Sequence, residues 1–225
     1  MLSRKRLRFQ GSTLNARHHR AHAGFTLAEL LVSMLLSSII MGAVYSVYRM
    51  QSHTMKIQEK RLDAQDYARS VLDMMVREIR NAGYFPVGAC TTSPVNTNGI
   101  ITADSQTFRF VYDSNAANGC ADADENTECR FDSSGCTNGL GDIKRKTTNP
   151  ANDQAITDCN VTSFSLTYYA KDSTTPLSPV VLANVQRISI TLTVQSKNPD
   201  SQFGGQQLDA TLTSNVDLRN RGLPS

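Results

Sequence analysis

Residues 24–32 read Gly24-Phe25-Thr26-Leu27-Ala28-Glu29-Leu30-Leu31-Val32 and open an apolar run that reaches Tyr48. From Phe25 to Tyr48 the run contains 24 residues and one charged side chain, Glu29. As a helix it would be about 36 Å long, which is enough to cross a hydrocarbon core of about 30 Å. The pattern therefore predicts a transmembrane helix over residues 25–48. A carboxylate inside such a helix costs about 3 kcal/mol at the centre and less near an end, so Glu29 is expected to have a partner.

The segment before this helix is basic. Residues 1–24 contain no acidic side chain and six basic ones, Arg4, Lys5, Arg6, Arg8, Arg17 and Arg20. Clustered Lys and Arg beside a spanning helix stay on the cytoplasmic side, so the C-terminal part is expected to lie outside the cytoplasm. His18, His19 and His22 fall in the same segment, where a polar tail is favoured over a metal site. Without residues 1–24 the chain has 17 basic and 20 acidic side chains, so no nucleic-acid partner is expected.

The stretch 24–32 resembles the processing site of type IV prepilins and of the pseudopilins of type II secretion. In that family a prepilin peptidase cuts after the glycine and methylates the new N-terminal amine. The resemblance implies that residues 1–24 are a leader peptide, that cleavage falls between Gly24 and Phe25, that Phe25 is N-methylated, and that Glu29 serves assembly. The alternatives are an ordinary single-span anchor and a secretory signal peptide; the length of the run and the lack of an A-x-A-like site disfavour the latter.

Beyond Tyr48 the helical pattern continues as an amphipathic segment over residues 49–83. Charged side chains become frequent, and apolar residues recur at helical spacing from Ala68 onward, at Val71, Leu72, Met75, Val76, Ile79 and Ala82. Gly83 is a candidate for the residue just past the helix, and Pro86 follows closely, so the helix is expected to stop near Ala82. The apolar stripe predicts that this part of the helix packs on another element.

Residues 84–225 carry the pattern of a β-rich, extracytoplasmic globular domain. Short alternating or β-branched runs occupy residues 107–112, 127–132, 143–146, 161–170, 185–195 and 208–218. In the fifth run Ile188, Ile190, Leu192 and Val194 alternate with polar residues, the period of a strand with one face in water. The predicted fold class is α+β, a type IV pilin-like fold in which a long N-terminal transmembrane and amphipathic helix packs on a C-terminal antiparallel β domain.

Two further stretches resemble PilW-like minor pilins. One runs from Arg77 through Asn81-Ala82-Gly83-Tyr84 to Cys90. The other is the ending from Leu208 to Arg221, with Val216-Asp217-Leu218-Arg219-Asn220-Arg221, which is also similar to the J-type minor pseudopilin. The resemblance implies a minor pilin that takes part in initiation and assembly of a type IV pilus. Its implied partners are prepilin peptidase, major and minor pilins bound through the N-terminal helix, and lipid of the inner membrane. The alternative is a minor pseudopilin of a type II secretion system.

Five cysteines, Cys90, Cys120, Cys129, Cys136 and Cys159, all follow the apolar run. Disulfides form in extracytoplasmic compartments, so this placement favours disulfide bonds with one cysteine left over. The connectivity stays open, because spacing does not determine it. A zinc site is the competing hypothesis, but no Cys-x-x-Cys pair is present and no histidine follows His53.

An acidic segment places oxygen-bearing side chains at alternate positions, Asp122, Asp124, Asn126 and Glu128. Such spacing allows a loop to wrap a hard cation such as Ca²⁺. The segment lacks the glycine at the sixth position and the distant glutamate of an EF-hand loop. A solvated acidic turn is therefore favoured, calcium is the alternative, and no cofactor is expected.

Catalytic motifs do not occur in the sequence. There is no G-x-S-x-G, no phosphate-binding glycine loop and no cluster of histidines with carboxylates in the outer part, so a structural and interaction protein is predicted rather than an enzyme. A function of another class would be a membrane-anchored module that binds DNA or a surface ligand at a pilus tip. After the apolar run, its only dense basic group is Lys144-Arg145-Lys146, where an edge strand or a solvated face is favoured.

Overall fold

The longest element is α1, a helix from Leu27 to Ile79. The computed structural model describes residues 24–85, 99–113, 125–148, 152–196 and 207–220. The chain divides into two compact units, Met1–Met50 and Gln51–Ser225. The helix begins two residues after the predicted start and ends three residues before the predicted stop. Its first turn carries the acidic Glu29 and its last turn the basic Arg77, charges that complement the helix dipole.

In the first unit the described residues are helical from Leu27 onward and solvent-exposed on every face. By length and composition α1 is the one helix in the described part of the chain that could cross a membrane. Three serines within the apolar run, Ser33, Ser38 and Ser46, donate their hydroxyls to helix carbonyls three residues earlier, at 2.7–2.9 Å. Their polar groups are thus satisfied inside the helix, as a hydrocarbon environment requires.

In the second unit the predicted apolar stripe of α1 is buried. The residues with less than a tenth of their surface exposed recur every three or four positions: Ala64, Ala68, Val71, Leu72, Met75, Val76 and Ile79. This spacing places them on one side of the helix, and all belong to the hydrophobic core that also includes both sheets. The prediction that this part of the helix packs on the β domain is confirmed.

The helix ends in a tight turn that attaches it to the first sheet. Gly83 has a φ of 73°, a left-handed conformation that favours glycine, and its N–H donates to the carbonyl of Val111 at 2.9 Å. Gly99 approaches it so closely that a Cβ on Gly99 would lie 2.3 Å from the Cα of Gly83. A side chain at Gly99 would therefore push the helix end away from the first sheet.

The first sheet is an antiparallel meander of five strands in chain order. They are β1 (Ile100–Ala103), β2 (Thr107–Val111), β3 (Asn126–Asp132), β4 (Asp142–Thr147) and β5 (Asn152–Ala155). Phe108 and Phe110 of β2, Cys129 of β3 and Ile143 of β4 are fully buried. One face of this sheet thus contributes to the core.

The second sheet has three antiparallel strands in chain order, β6 (Val161–Tyr169), β7 (Arg187–Gln195) and β8 (Asp209–Asp217), and a 3-10 turn at Leu182–Asn184 precedes β7. Buried and partly exposed residues alternate strictly along β7, as predicted. On the outer face, short polar side chains bond across strands: the Thr193 and Thr211 hydroxyls are 2.9 Å apart, and those of Thr191 and Thr213 are 3.1 Å apart. The sheet therefore has an apolar inner face and a polar outer face.

The two sheets are joined at β6. The Tyr168 hydroxyl donates to the carbonyl of Asp104 at 2.7 Å, and the N–H of Leu166 donates to the carbonyl of Ser105 at 2.8 Å. Gly141 and Val161 exchange two backbone bonds of 2.9 and 3.1 Å. Burial of the Tyr168 ring raises the pKa of its hydroxyl, which stays a donor at all ordinary pH values.

All six predicted strands are present with ends within two residues of those expected, and they lie in two antiparallel sheets, a number that the sequence did not predict. The prediction missed two short strands, β1 and β5. β5 reads Asn-Asp-Gln-Ala, all four residues exposed, and has little intrinsic β preference. It forms because β4 offers a hydrogen-bonding edge, with Thr147 opposite Asn152 and Lys144 opposite Ala155.

Candidate functional site

The N-terminus of α1 is closed by a reciprocal pair of hydrogen bonds between Thr26 and Glu29. The backbone N–H of Thr26 donates to Oε2 of Glu29 at 2.9 Å, and the N–H of Glu29 donates to the Thr26 hydroxyl oxygen at 3.3 Å. The Thr26 hydroxyl also donates to Oε2 at 3.0 Å. This is a capping box, in which Thr26 is the N-cap and Glu29 the third helical residue. It explains why the helix begins at Leu27.

Glu29 keeps one carboxylate oxygen for another donor. Both hydrogen bonds from Thr26 go to Oε2, and within the described residues no group donates to Oε1. The carboxylate lies in the first helical turn, where unpaired backbone N–H groups already concentrate partial positive charge. It is thus held in place by its own helix and can accept a further cationic group through Oε1.

Gly24 and Phe25 lie just before this cap, outside the helix. Both are exposed, Phe25 at 85%, and a Cβ on Gly24 would meet no heavy atom within 4 Å. Nothing in the described part of the chain therefore requires glycine at this position. The peptide bond between Gly24 and Phe25 is open to an enzyme, and a need for glycine would come from that enzyme.

The helix that follows the cap presents apolar side chains on all sides. From Leu27 to Met50 the large hydrophobic residues are each more than half exposed: Leu27, Leu30, Leu31, Val32, Met34, Leu35, Leu36, Ile39, Ile40, Met41, Val44, Tyr45, Val47, Tyr48 and Met50. A helix that is apolar all round is expected to be covered by lipid or by other helices. The capped end and this surface together form the candidate site for insertion and assembly.

The cysteine hypothesis is supported by one bond. Cys136 and Cys159 form a disulfide, with Cα atoms 5.4 Å apart. Cys129 is a buried free thiol, and Cys90 and Cys120 lie outside the described residues. The thiol of Cys129 is not a nucleophile at neutral pH, because burial, and secondarily the charge of Glu78, raise its pKa to about 12.

In the described part of the chain, the residues considered for zinc or calcium are not arranged as a metal site. The one group of three potential ligands there is Cys136, Asp142 and Cys159, and its two sulfurs are bonded to each other. Of the calcium candidates, Asp122 and Asp124 lie outside the described residues, as do His18, His19 and His22. Asn126 and Glu128 lie on β3 rather than in a loop, and Glu128 pairs with Arg130 at 3.0 Å.

The basic triplet is not a positively charged patch. Arg145 lies 2.6 Å from Glu78 of α1, and Lys144 lies 2.7 Å from Asp132, which leaves Lys146 as the exposed member. Of the two expectations for this triplet, the edge strand is wrong, because β4 has β3 on one side and β5 on the other. The other expectation, a solvated face, agrees with the exposed position of Lys146. Alternation along the strand sends Arg145 to the helix and its two neighbours to the opposite face.

Sequence reasoning singled out Gly24, Phe25 and Glu29, and the structure brings Glu29 to the helix N-terminus next to the other two. It missed Thr26, whose role as a cap is signalled by the Thr-x-x-Glu spacing. It also missed the ion pair between Glu78 and Arg145, for which no local signal exists, since 67 positions separate the two residues.

Two known protein families match the chain. The family described as prepilin peptidase-dependent protein B matches residues 57–218, and the prokaryotic N-terminal methylation motif matches residues 19–45. The shorter match contains Gly24, Phe25 and the capping box, and the longer one contains the buried stripe of α1 and all eight strands. No curated protein and no solved structure matches the chain.

Proposed function

Because the chain belongs to the prepilin peptidase-dependent protein B family and carries the prokaryotic N-terminal methylation motif, we propose that it is a minor pilin of the PilW-like type. In this role a prepilin peptidase removes residues 1–24 and methylates the amine of Phe25. The processed protein then takes part in initiation and assembly of a type IV pilus. Its contribution is structural and not catalytic.

The observation that carries this proposal is the combination of the capped N-terminus with an apolar surface on every face from Leu27 to Met50. A helix that only anchored a domain in lipid would not need a carboxylate near its end, where it costs free energy. A helix that leaves the lipid to pack among other helices needs apolar side chains all round and a means to neutralise its new terminal charge.

Glu29 supplies that neutralisation. Cleavage after Gly24 creates a positively charged amine at Phe25, and a methylated amine keeps this charge. Two isolated charges in a medium of low dielectric are costly, whereas a hydrogen-bonded pair is much less so. Oε1 of Glu29 accepts the amine of its own chain or of a neighbouring subunit, while Oε2 stays on Thr26.

The basic side chains of residues 1–24 set the orientation before cleavage. They hold the N-terminus in the cytoplasm, so that the C-terminal β domain lies outside it. The protein is then a single-pass protein of the inner membrane until it is incorporated into a pilus. The disulfide between Cys136 and Cys159 suits this oxidising side of the membrane.

The test compares wild type, Glu29→Ala and the matched control Glu59→Ala, an exposed glutamate in the polar part of the same helix. Intact mass should show that all three begin at a methylated Phe25. Glu29→Ala should recover much less of the major pilin on co-purification, and Glu59→Ala should recover the wild-type amount. A chain that keeps residues 1–24 in cells with active peptidase, or undiminished pilin recovery with Glu29→Ala, would contradict the proposal.

A minor pseudopilin of the J type, in a type II secretion system, is the second candidate, since it would use the same helix cap and the same apolar surface. Co-purification separates the two: the major pilin of a pilus or the major pseudopilin of a secretion system should be recovered. A module that binds DNA or a surface ligand is not favoured, because two of the three charges of its basic group are paired with acidic residues.

A further inference from the structure

β8 is an outermost strand of the second sheet. It pairs with β7 over nine residues, from Gln195 opposite Asp209 to Arg187 opposite Asp217, without a bulge. On its other side no strand of the described chain pairs with it. The strand is long for an edge, since typical strands have about five or six residues.

Hydrogen bonds at both ends of β8 show which backbone groups are free. The N–H of Ser196 donates to the carbonyl of Leu208, and the N–H of Leu218 donates to the carbonyl of Gln186, each at 2.9 Å. In an antiparallel pair the groups that face the neighbour belong to alternate residues, so the even-numbered residues from 208 to 218 face β7. The N–H and carbonyl groups that point away from the sheet belong to Asp209, Thr211, Thr213, Asn215 and Asp217.

Other edges of the described sheets are covered or short. β6 is covered on its outer side, where Leu166 bonds to Ser105 and the N–H of Leu177 donates to the carbonyl of Tyr168 at 2.8 Å. β1 and β5, the outermost strands of the first sheet, have four residues each. Among the described strands β8 is therefore the extended edge that could accept another strand along most of its length.

Edge strands are usually protected by proline, lysine or a bulge, and β8 has none of these. Its sequence is Asp-Ala-Thr-Leu-Thr-Ser-Asn-Val-Asp, with one carboxylate at each end and no other charge. Neither carboxylate forms an ion pair with a described residue. Arg187, opposite Asp217, instead contacts the Tyr169 ring at 4.7 Å and donates to the carbonyl of Ser173.

These end charges determine the kind of strand that fits. Two copies of β8 paired antiparallel and in full register would place Asp209 opposite Asp217 at both ends, and parallel pairing would place each carboxylate beside its own copy. Like charges opposite each other destabilise a strand pair. A second copy of this edge is therefore disfavoured, whereas a strand with basic ends is favoured.

We propose that β8 binds, by strand addition, an extended segment of another protein subunit that is uncharged in its middle and carries Lys or Arg at its ends. Main-chain hydrogen bonds to the five outward residues supply the attraction, and Asp209 and Asp217 select the partner by charge. This surface lies outside the transmembrane helix, so it adds a second contact to the one assigned to Glu29.

The test uses a defined probe, the peptide Lys-Thr-Val-Thr-Val-Thr-Val-Thr-Lys, and the same peptide with glutamate at both ends. Each is titrated into the full-length protein in nonionic detergent, followed by fluorescence anisotropy and amide hydrogen exchange. The lysine-ended peptide should bind at least about tenfold more tightly, a difference of about 1.4 kcal/mol. It should slow exchange at the amides of Thr211, Thr213 and Asn215.

Two sets of variants separate the role of the outward backbone groups of β8 from that of the carboxylates at its ends. Thr213→Pro removes an outward N–H that has no partner in the sheet and should abolish binding, whereas Thr213→Val keeps that N–H and should bind as wild type does. Exchange protection across β6 and β7 checks the fold. The double variant Asp209→Lys with Asp217→Lys should prefer the glutamate-ended peptide, and it remains informative even where Thr213→Pro unfolds.

The proposal would be overturned if neither peptide binds or if both bind equally tightly. It would also be overturned if the lysine-ended peptide slows amide exchange in β5 instead of β8. An unchanged preference in the double lysine variant would overturn it too. None of these readouts depends on cleavage at Gly24 or on recovery of a pilin. Failure here therefore leaves the assignment of the N-terminal helix untouched, and failure of that assignment leaves this edge untouched.

Discussion

Arg145 of β4 places its Nε 2.6 Å from Oε1 of Glu78, the residue next to the end of α1. Their side chains are 25% and 21% exposed, so both charges are largely removed from water. The contact is an ion pair without the angle of an aligned hydrogen bond. On the neighbouring strand Cys129 lies opposite Arg145 in the register. One ion pair thus ties the end of the helix to the middle of the first sheet.

Arg145→Ala should destabilise the protein. The substitution leaves the carboxylate of Glu78 mostly buried and without its counter-charge, and the partial exposure limits the loss to about 1–2 kcal/mol. The melting temperature should fall by about 2–4 °C for each kcal/mol. The matched control is Lys146→Ala, the exposed neighbour on the same strand, which should stay within about 0.5 kcal/mol of wild type. Equal melting temperatures for the two variants would contradict the role assigned to the pair.

The thiol of Cys129 should make stability depend on pH in the alkaline range. Its pKa rises from 9.0 to about 12 in the folded protein, so the folded state holds the proton to higher pH than the unfolded state does. The stability that the protonated Cys129 thiol contributes to the folded state is therefore fully present below pH 9. It is lost as the pH rises toward 12. Between these values wild type should lose up to about 1.4 kcal/mol per pH unit more than Cys129→Ala. Urea unfolding at several pH values measures the free energy of unfolding of both proteins. If this free energy has the same pH dependence in wild type and in Cys129→Ala, the prediction is contradicted.

The count of reactive thiols tests the disulfide hypothesis. Alkylation of the native protein near pH 8 should leave Cys129 unmodified, because it is buried and protonated. Alkylation in denaturant without reductant should modify Cys129 but neither Cys136 nor Cys159. The total should be odd, most simply one. Five modified cysteines would mean that no disulfide forms and that the assumed compartment is wrong.

Loss of the bond between Cys136 and Cys159 should lower stability. The bond closes a loop with a sequence separation of 23, which the chain-entropy account values at about 3 kcal/mol. The variant with serine at both positions should therefore melt well below wild type. A reducing agent should lower the melting temperature of wild type toward that of the variant, which should itself respond little. A serine variant that melts with wild type would show that this bond contributes nothing.

Thr26 should act on assembly through the geometry of Glu29. Thr26→Val removes the hydroxyl that bonds to Glu29, at about 1 kcal/mol of helix stability, whereas Thr26→Ser keeps a comparable cap. Pilin recovery should fall with valine and stay near normal with serine. Glu29→Gln separates cap from charge, because it retains an acceptor for Thr26 but cannot neutralise an amine. Full recovery with Glu29→Gln would show that the cap alone matters.

Much of this protein can be derived from local sequence pattern. The long apolar first half of α1 follows from 24 nearly uncharged residues, the buried stripe of α1 from apolar spacing after Ala68, and six strands from alternation, because periodicity and composition act over a few residues. Glu29 was identifiable as a lone carboxylate in an apolar run. Its hydrogen bonds to Thr26 are equally local, and the Thr-x-x-Glu spacing predicts them.

The remaining features depend on which distant segments meet. Nothing in Asn-Asp-Gln-Ala predicts a strand, and β5 exists because β4 lies beside it. The path of the chain in space also decides which cysteines pair, which charges meet and how the strands divide into two sheets. The examples are the disulfide of Cys136 with Cys159 and the ion pair of Glu78 with Arg145. Local preferences of about 1 kcal/mol or less are outweighed there by long-range hydrogen bonds and burial, which only the folded structure specifies.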